Sequence, residues 1–92
     1  MSNFGNSPVL GFSYVMQQEL DNNKQKGTNS WRKDCSLDYL LKRLYEEVDE
    51  IGKCIETNSS IKSVISECGD VANFAMMIAD IYKRKNGNNK KR

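Results

Sequence analysis

The sequence contains no histidine, only three cysteines and a single proline among its 92 residues. The absence of histidine argues against catalysis by a histidine base and against histidine-ligated zinc. The cysteines are odd in number and have no paired spacing, which argues against a disulfide framework or a zinc finger. We therefore expect the cysteines to be small hydrophobic residues in a reducing compartment, and we predict a cytoplasmic location.

Long apolar runs are also missing. No segment approaches about 18 consecutive apolar residues, and no basic region followed by an apolar run opens the chain. A secreted or membrane-spanning protein is therefore not expected, and no membrane partner is predicted. The sequence also lacks a strand pattern, an internal repeat and a glycine-rich phosphate loop.

Chain length and charge set the domain organisation. A chain of this size buries about 60–65% of its unfolded surface, so its core is thin and a homodimer or homotetramer is expected. The net charge of +2 is unevenly spread, because "KRKNGNNKKR" (83–92) is almost purely basic and the rest of the chain is acidic. We predict one domain over residues 1–85 and a basic disordered tail over residues 86–92.

The first part of the chain predicts one helix and a loop. Ser7 suits a helix cap and Pro8 the first helical position, and apolar residues then follow at helical spacing. The helical signal ends in the segment "DNNKQKG". Residues 27–34 are predicted to form a polar loop whose one large apolar group is Trp31.

Two longer helices are predicted after this loop. Ser36 is the expected cap of the second helix, which has the strongest apolar periodicity in the chain. The segment "ETNSS" breaks it, and Ser59 or Ser60 is expected to cap a third helix that runs to about Arg84. The predicted fold is an all-α helical bundle of two long antiparallel helices and a shorter N-terminal helix, completed by oligomerisation.

The second helix carries a cluster of acids in "YEEVDEI". Glu46, Glu47 and Glu50 lie within one turn and share about a third of the helix circumference. Basic residues also lie three or four positions away, so a solvated face of intrahelical ion pairs is an alternative. The basic residues at these spacings are Lys42, Arg43 and Lys53.

The third helix contains two acids in an apolar context. Glu67 and Asp70 lie one turn apart in "ISECGDVANFAMMIAD", and neither has a lysine or arginine three or four positions away. On a helix that is predicted to be mostly buried, two such carboxylates are costly unless something outside the helix neutralises them. A divalent metal ion is the economical candidate.

These acids form two i,i+3 pairs on helices that are predicted to be neighbours. Glu47 and Glu50 on one helix and Glu67 and Asp70 on the other can converge on one point. Carboxylate oxygens without histidine or thiolate indicate Mg²⁺, with Mn²⁺ as a second choice. Because Mg²⁺ often completes its shell with water and substrate phosphates, the ligand is expected to be phosphorylated.

The combined acidic pattern resembles that of a known family. "EEVDE", followed after sixteen residues by "ECGD", is similar to the E-E-x-x-E and E-x-x-D motifs of the MazG-like all-α nucleoside triphosphate pyrophosphohydrolases. "DVANFAMMIAD" looks like the third helix of that family. "NNKQKGTNSW" (22–31) resembles the leading segment of phage-type members, some of which act on dATP and dGTP. The resemblance covers roughly residues 12–84.

The resemblance implies a reaction. The enzyme would cleave a nucleoside triphosphate between the α and β phosphorus, releasing the monophosphate and pyrophosphate, in a bacterial or phage-infected cell. Purine deoxynucleotides are the first expectation and pyrimidine deoxynucleotides the second. By the same resemblance, Glu47, Glu50, Glu67 and Asp70 occupy metal-ligand positions. Glu46 matches the first acid of the motif, so the expected catalytic residues are Glu46, Glu47 and Glu50, with Glu46 binding a further metal or acting on the attacking water.

Four further residues are predicted to contact the substrate. Lys24 and Lys26 are expected to reach the β and γ phosphates, with an ordinary polar helix end as the alternative. Trp31 is expected to stack on the base, with filling of a thin core as the alternative. Asn73 matches a position where the family places a polar residue that faces the site, so a bond to a sugar hydroxyl or a phosphate is implied.

The sequence departs from the family pattern within the second helix. Family members often carry Leu-Ala where this sequence has Ile51-Gly52, and a glycine inside a helix costs about 0.5–1 kcal/mol relative to alanine. Gly52 therefore indicates either a close helix approach or a bend.

The rival hypothesis for function is a non-catalytic acidic helical module whose basic tail touches nucleic acid, whereas for the enzyme a nucleic-acid partner is not expected.

Overall fold

The computed structural model describes residues 6–24 and 31–87, and the elements within these ranges are all helical. The all-α fold class is therefore confirmed. One element differs from the prediction, because the segment expected to be a loop contains a short helix that starts at Trp31. The four helices are α1 (Pro8–Lys24), α2 (Trp31–Asp34), α3 (Leu37–Glu56) and α4 (Ile61–Asn86).

The three long helices start directly after predicted capping residues. α1 begins at Pro8, and the amide of Gly11 donates to the carbonyl of Ser7 at 2.8 Å. The Ser36 hydroxyl oxygen accepts the Tyr39 amide at 3.1 Å at the start of α3. Of the two serines predicted for α4, Ser60 is the cap, and its hydroxyl oxygen accepts the Ser63 amide at 3.1 Å.

A four-residue turn, residues 57–60, joins α3 to α4. Asn58 has a φ of 56°, the left-handed conformation that asparagine tolerates better than most residues. The amides of Asn58 and Ser59 donate to the carbonyls of Ile55 and Cys54, which satisfies two carbonyls at the end of α3. The short connection makes α3 and α4 antiparallel neighbours, as predicted.

α4 is the central helix and packs against α1, α2 and α3. Its contact with α1 is close at Gly69, where an added Cβ would lie 2.9 Å from Cγ1 of Val15. The set of fully buried residues is small, as expected for a chain of this length. Its buried apolar residues are Leu40, Met77 and Ile81, packed against Leu20, Trp31, Cys35, Leu37, Phe74 and Ile78.

The burial of α4 is narrower than its sequence predicts. The buried positions form a stripe with a spacing of four, and the other apolar residues of the helix are half-buried or exposed in the single chain. Ile61, in the first turn, is 79% exposed. The buried positions are Gly69, Asn73, Met77 and Ile81. Among the described residues, no helix is both long and apolar enough to cross a membrane.

Candidate metal and catalytic site

Three carboxylates from two helices meet between α3 and α4. Glu47 comes from α3, whereas Glu67 and Asp70 come from α4, and one oxygen of each lies within 4.8 Å of the others. All three side chains are partly buried. The spacing explains the convergence, since Glu67 and Asp70 project from successive turns on one side of α4. Glu47 lies two turns after Leu40, the α3 residue that is buried against Met77 and Ile81 of α4. The structure thus brings together three of the four predicted metal ligands.

Glu50, the fourth predicted ligand, lies apart from this group. Its side chain is 49% exposed, and its carboxylate is 4.0 Å from the Lys53 ammonium, one turn further along α3. Its negative charge still contributes to raising the pKa of Glu67, so it lies near the group without joining it.

Glu67 is the most strongly perturbed acid of the site. A hydrogen bond with Glu47 is the main cause of its raised pKa, followed by burial and by the charges of Glu47, Asp70 and Glu50. Together these effects bring the pKa of Glu67 to about 7. Its Oε1 atom is buried and has no hydrogen-bond partner among the described residues. A buried carboxylate oxygen without a donor is costly, and such an atom is well suited to a ligand that supplies positive charge.

Asp70 is perturbed in the same direction. Burial is the main cause, and the charges of Glu19 and Glu47 add to it, so that the pKa of Asp70 rises to about 6. The positive charge of Arg43 opposes the rise. The group therefore holds more negative charge than the surrounding residues neutralise.

Glu19 of α1 is a member of the acidic cluster that the sequence reasoning missed. Its carboxylate hydrogen-bonds to Asp70, and its Oε2 accepts the Ser66 hydroxyl at 2.8 Å. The signal was present in α1, because Glu19 lies four residues after Val15 and three after Met16, inside the apolar face of the helix. An acid on the buried face of a helix indicates a polar partner on the neighbouring element.

Arg43, which the sequence indicates only as an ion-pair partner of the α3 acids, also contacts α4 at the site. Its guanidinium lies over the Phe74 ring, with Cζ 5.2 Å from the ring centroid. It donates to Oε1 of Glu46 at 2.6 Å and to Oε2 of Glu47 at 3.0 Å. Intrahelical ion pairs, the alternative explanation for the α3 acids, are thus present for Glu46 and Glu47. The cation next to the α4 acids comes from α3.

Two of the four residues predicted to contact the substrate, Asn73 and Trp31, make packing contacts within the protein. Asn73 is 2% exposed and its amide nitrogen donates to the Met16 carbonyl of α1 at 2.9 Å, which is a helix-packing contact. Trp31 packs against the core cluster, as its alternative interpretation held, and the Arg32 guanidinium lies 4.9 Å from its ring centroid. Their contacts with substrate stay predictions. Lys26 and the Lys24 side chain lie outside the described part of the chain.

Comparison with known proteins gives no relative: no family model, no curated protein and no solved structure matches this chain.

Proposed function

We propose that this protein is a Mg²⁺-dependent nucleoside triphosphate pyrophosphohydrolase. The observation that carries the proposal is the convergence of three partly buried carboxylates, one of which has a buried oxygen without a partner. The resemblance of "EEVDE" and "ECGD" to the MazG-like motifs supports the same reading. The reaction is cleavage between the α and β phosphorus of a deoxynucleoside triphosphate, with dATP or dGTP as the first candidate.

The residues present fit a divalent cation. All donors in the group are carboxylate oxygens, which suits Mg²⁺ or Mn²⁺ and disfavours zinc or copper. Glu47, Glu67 and Asp70 would hold the ion. Glu50 would join them if its exposed side chain adopted another rotamer. When bound, the ion supplies charge neutralisation for the phosphates and lowers the pKa of a coordinated water.

The protein residues have roles of their own. Glu46 is 48% exposed and ion-paired with Arg43, so it can accept a proton from an attacking water if that ion pair opens. Arg43 orients Glu47 and limits the negative charge felt by Asp70. Lys24 and Lys26 are proposed to contact the β and γ phosphates. No covalent nucleophile is required for this chemistry.

Activity measurement tests the proposal. Purified protein is incubated with Mg²⁺ and each of the eight common nucleoside triphosphates, and pyrophosphate release is measured. We expect release from a purine deoxynucleotide that falls at least about 100-fold in Glu67→Gln, since that change removes a ligand charge. Glu56→Gln, an exposed acid at the far end of α3, is the matched control and should retain activity.

The rival function is a non-catalytic acidic module, and the Arg43 ion pairs with Glu46 and Glu47 favour it because they neutralise part of the cluster without a metal. The module predicts that wild type and Glu67→Gln are silent with all eight substrates and that Mg²⁺ leaves the melting temperature unchanged. Pyrophosphate release that depends on Glu67 would exclude it.

A further inference from the structure

Arg43 is held at the site by two carboxylates and an aromatic ring. Its Nη1 donates to Glu46 at 2.6 Å and its Nη2 donates to Glu47 at 3.0 Å. The guanidinium also lies over the Phe74 ring of α4, 5.2 Å from the ring centroid. Phe74 is one turn beyond Asp70, and Glu47 is one turn beyond Arg43. The guanidinium therefore lies between the two helices, next to the carboxylates that would hold a metal ion.

The guanidinium of Arg43 has more donors than these two bonds use. An arginine side chain has five N–H groups, and the bonds to Glu46 and Glu47 use two of them. The side chain is 32% exposed, so solvent reaches it. The contact with Phe74 uses the face of the guanidinium, whereas hydrogen bonds are donated in its plane. Arg43 can therefore exchange one anion for another without leaving the ring.

The charge of the site makes such an exchange useful. When they are ionised, the three carboxylates of Glu47, Glu67 and Asp70 carry one more charge than a single divalent ion supplies. This group and its ion would repel a triphosphate, which carries several negative charges. The positive charge of Arg43 reaches the group, because it opposes the rise in the pKa of Asp70. Arg43 is thus placed to supply the positive charge that a phosphate chain requires.

We infer that Arg43 binds a phosphate of the substrate and releases Glu46 to do so. This role rests on the proposed function and adds a phosphate ligand from α3 to it. A guanidinium fork binds phosphate and carboxylate oxygens in the same way, and the phosphate chain carries the larger charge. Glu46 is the partner to be exchanged, because its side chain is 48% exposed whereas that of Glu47 is 12% exposed.

The exchange couples substrate binding to the release of Glu46. Without substrate, the guanidinium occupies Oε1 of Glu46. Once a phosphate binds Arg43, that oxygen is free to accept the proton of the attacking water. The proposed base is therefore held back by Arg43 until a phosphate chain reaches the site.

Binding of inorganic triphosphate tests the inference without a measurement of activity, since this probe has the phosphate chain of the substrate but no base. In calorimetric titration of the full chain with excess Mg²⁺, Arg43→Gln should lower the affinity about 10- to 100-fold, because a hydrogen bond between charged groups is lost. Arg84→Gln is the matched control and should bind as wild type does. Arg84 also pairs with an acid four residues away, Asp80, and lies about 20 Å beyond Asp70 along α4.

Arg43→Lys separates phosphate binding from support of the fold. Lysine keeps the positive charge but lacks the planar fork, so its affinity for triphosphate should lie between those of wild type and Arg43→Gln. Both variants should keep the rise in melting temperature with Mg²⁺, because neither removes a metal ligand. If Arg43→Gln loses this rise as well, Arg43 acts by positioning Glu47 and the inference is wrong. If Arg43→Gln does not fold, the lysine variant decides, and wild-type affinity there overturns the inference.

Glu46→Gln tests the exchange of partners. Glutamine removes the charge that competes for Arg43, so triphosphate should bind roughly 2- to 5-fold more tightly, which is the worth of an exposed ion pair. The gain should vanish when Arg43→Gln is added. Glu56→Gln, which removes an exposed acid at the far end of α3, should give no gain. Tighter binding that persists without Arg43, or no gain at all in Glu46→Gln, would overturn the inference.

The outcome for wild type distinguishes this inference from the proposed function. Pyrophosphate release from a nucleotide, together with unchanged triphosphate binding in Arg43→Gln, would overturn the inference alone. Wild type that neither binds triphosphate with Mg²⁺ nor releases pyrophosphate would overturn the proposed function and the role of Arg43 with it.

Discussion

Glu67 is the residue at which burial and charge act together most directly. It shares a hydrogen bond with Glu47, lies near two further acids and has one oxygen without a donor. Each of these features favours the protonated form, so ionising Glu67 destabilises the folded chain. The cost of ionisation is what a bound cation would remove.

This cost predicts how stability depends on pH. The pKa of Glu67 is raised from 4.5 to about 7 and that of Asp70 from 3.8 to about 6, so the folded chain binds more protons than the unfolded chain between these values. Stability without metal should therefore fall as pH rises from about 3.8 to about 7. We expect a loss on the order of 1–2 kcal/mol after allowance for solvent screening.

Urea unfolding in EDTA at pH 5.5 and pH 8 measures this loss. In Glu67→Gln the difference between the two pH values should shrink by at least half, because one of the two titrating groups is gone. Glu56→Gln is the control and should keep the wild-type difference. Stability that rises between pH 5.5 and pH 8 would contradict the prediction.

Asn73 contributes to stability through a buried hydrogen bond. Its amide nitrogen satisfies the Met16 carbonyl inside the α1–α4 contact, so Asn73→Ala should lower the free energy of unfolding by about 1–3 kcal/mol. Asn86→Ala, which removes an exposed amide bound to the Tyr82 carbonyl at 2.9 Å, should change it by less than about 0.5 kcal/mol. Chemical unfolding of both variants checks the comparison, and equal losses would show that burial of Asn73 does not matter.

At the scale of the element, local signals in the sequence are sufficient for the long helices. The caps at Ser36 and Ser60 and the apolar periodicity of α3 depend on residues within a few positions of each other, and both caps are observed. α2 has only four residues and is too short to show a periodic signal. They form a helix with Trp31 packed against the core, which is a contact with distant parts of the chain.

The site, like the fold, was predictable from the sequence only where it depends on local spacing. Spacing within α4 indicates that Glu67 and Asp70 share a side, and the short turn indicates that Glu47 lies opposite them. Glu19 and Ser66 are 47 residues apart, so their contact follows from packing of α1 and not from any spacing. The position of Arg43 over Phe74 likewise depends on how two helices meet.

Gly69 lies where α1 and α4 approach each other closely, so a larger residue there should destabilise their contact. An added Cβ would lie 2.9 Å from Cγ1 of Val15 and 3.1 Å from Cγ of Glu19, so Gly69→Ala should cost about 1–3 kcal/mol despite the better helix propensity of alanine. Gly87→Ala, at a position with no atom within 4 Å, is the control and should be nearly neutral. Thermal unfolding compares the two, and a stable Gly69→Ala would show that α1 adjusts freely.

At the scale of the whole molecule, metal binding should appear as stability. A cation that binds the folded chain alone stabilises it by about 2.7 kcal/mol at 100 times its dissociation constant. For a domain of this size that corresponds to roughly 10 °C or more in melting temperature. We expect this rise with Mg²⁺ or Mn²⁺ at pH 8, its reversal by EDTA and its loss in Glu67→Gln. Calorimetry that shows an equal rise in wild type and Glu67→Gln would place the ion elsewhere.

The turn at residues 57–60 has a consequence for how sequences of this kind can vary. Nine residues separate Glu47 from Thr57, and six separate Ser60 from Glu67, and these two counts determine which side chains stand opposite one another. One residue inserted into either arm would rotate everything beyond it by about 100° and shift it by about 1.5 Å. A change of length in one arm must therefore be matched by the other if Glu47 is to stay opposite Glu67 and Asp70.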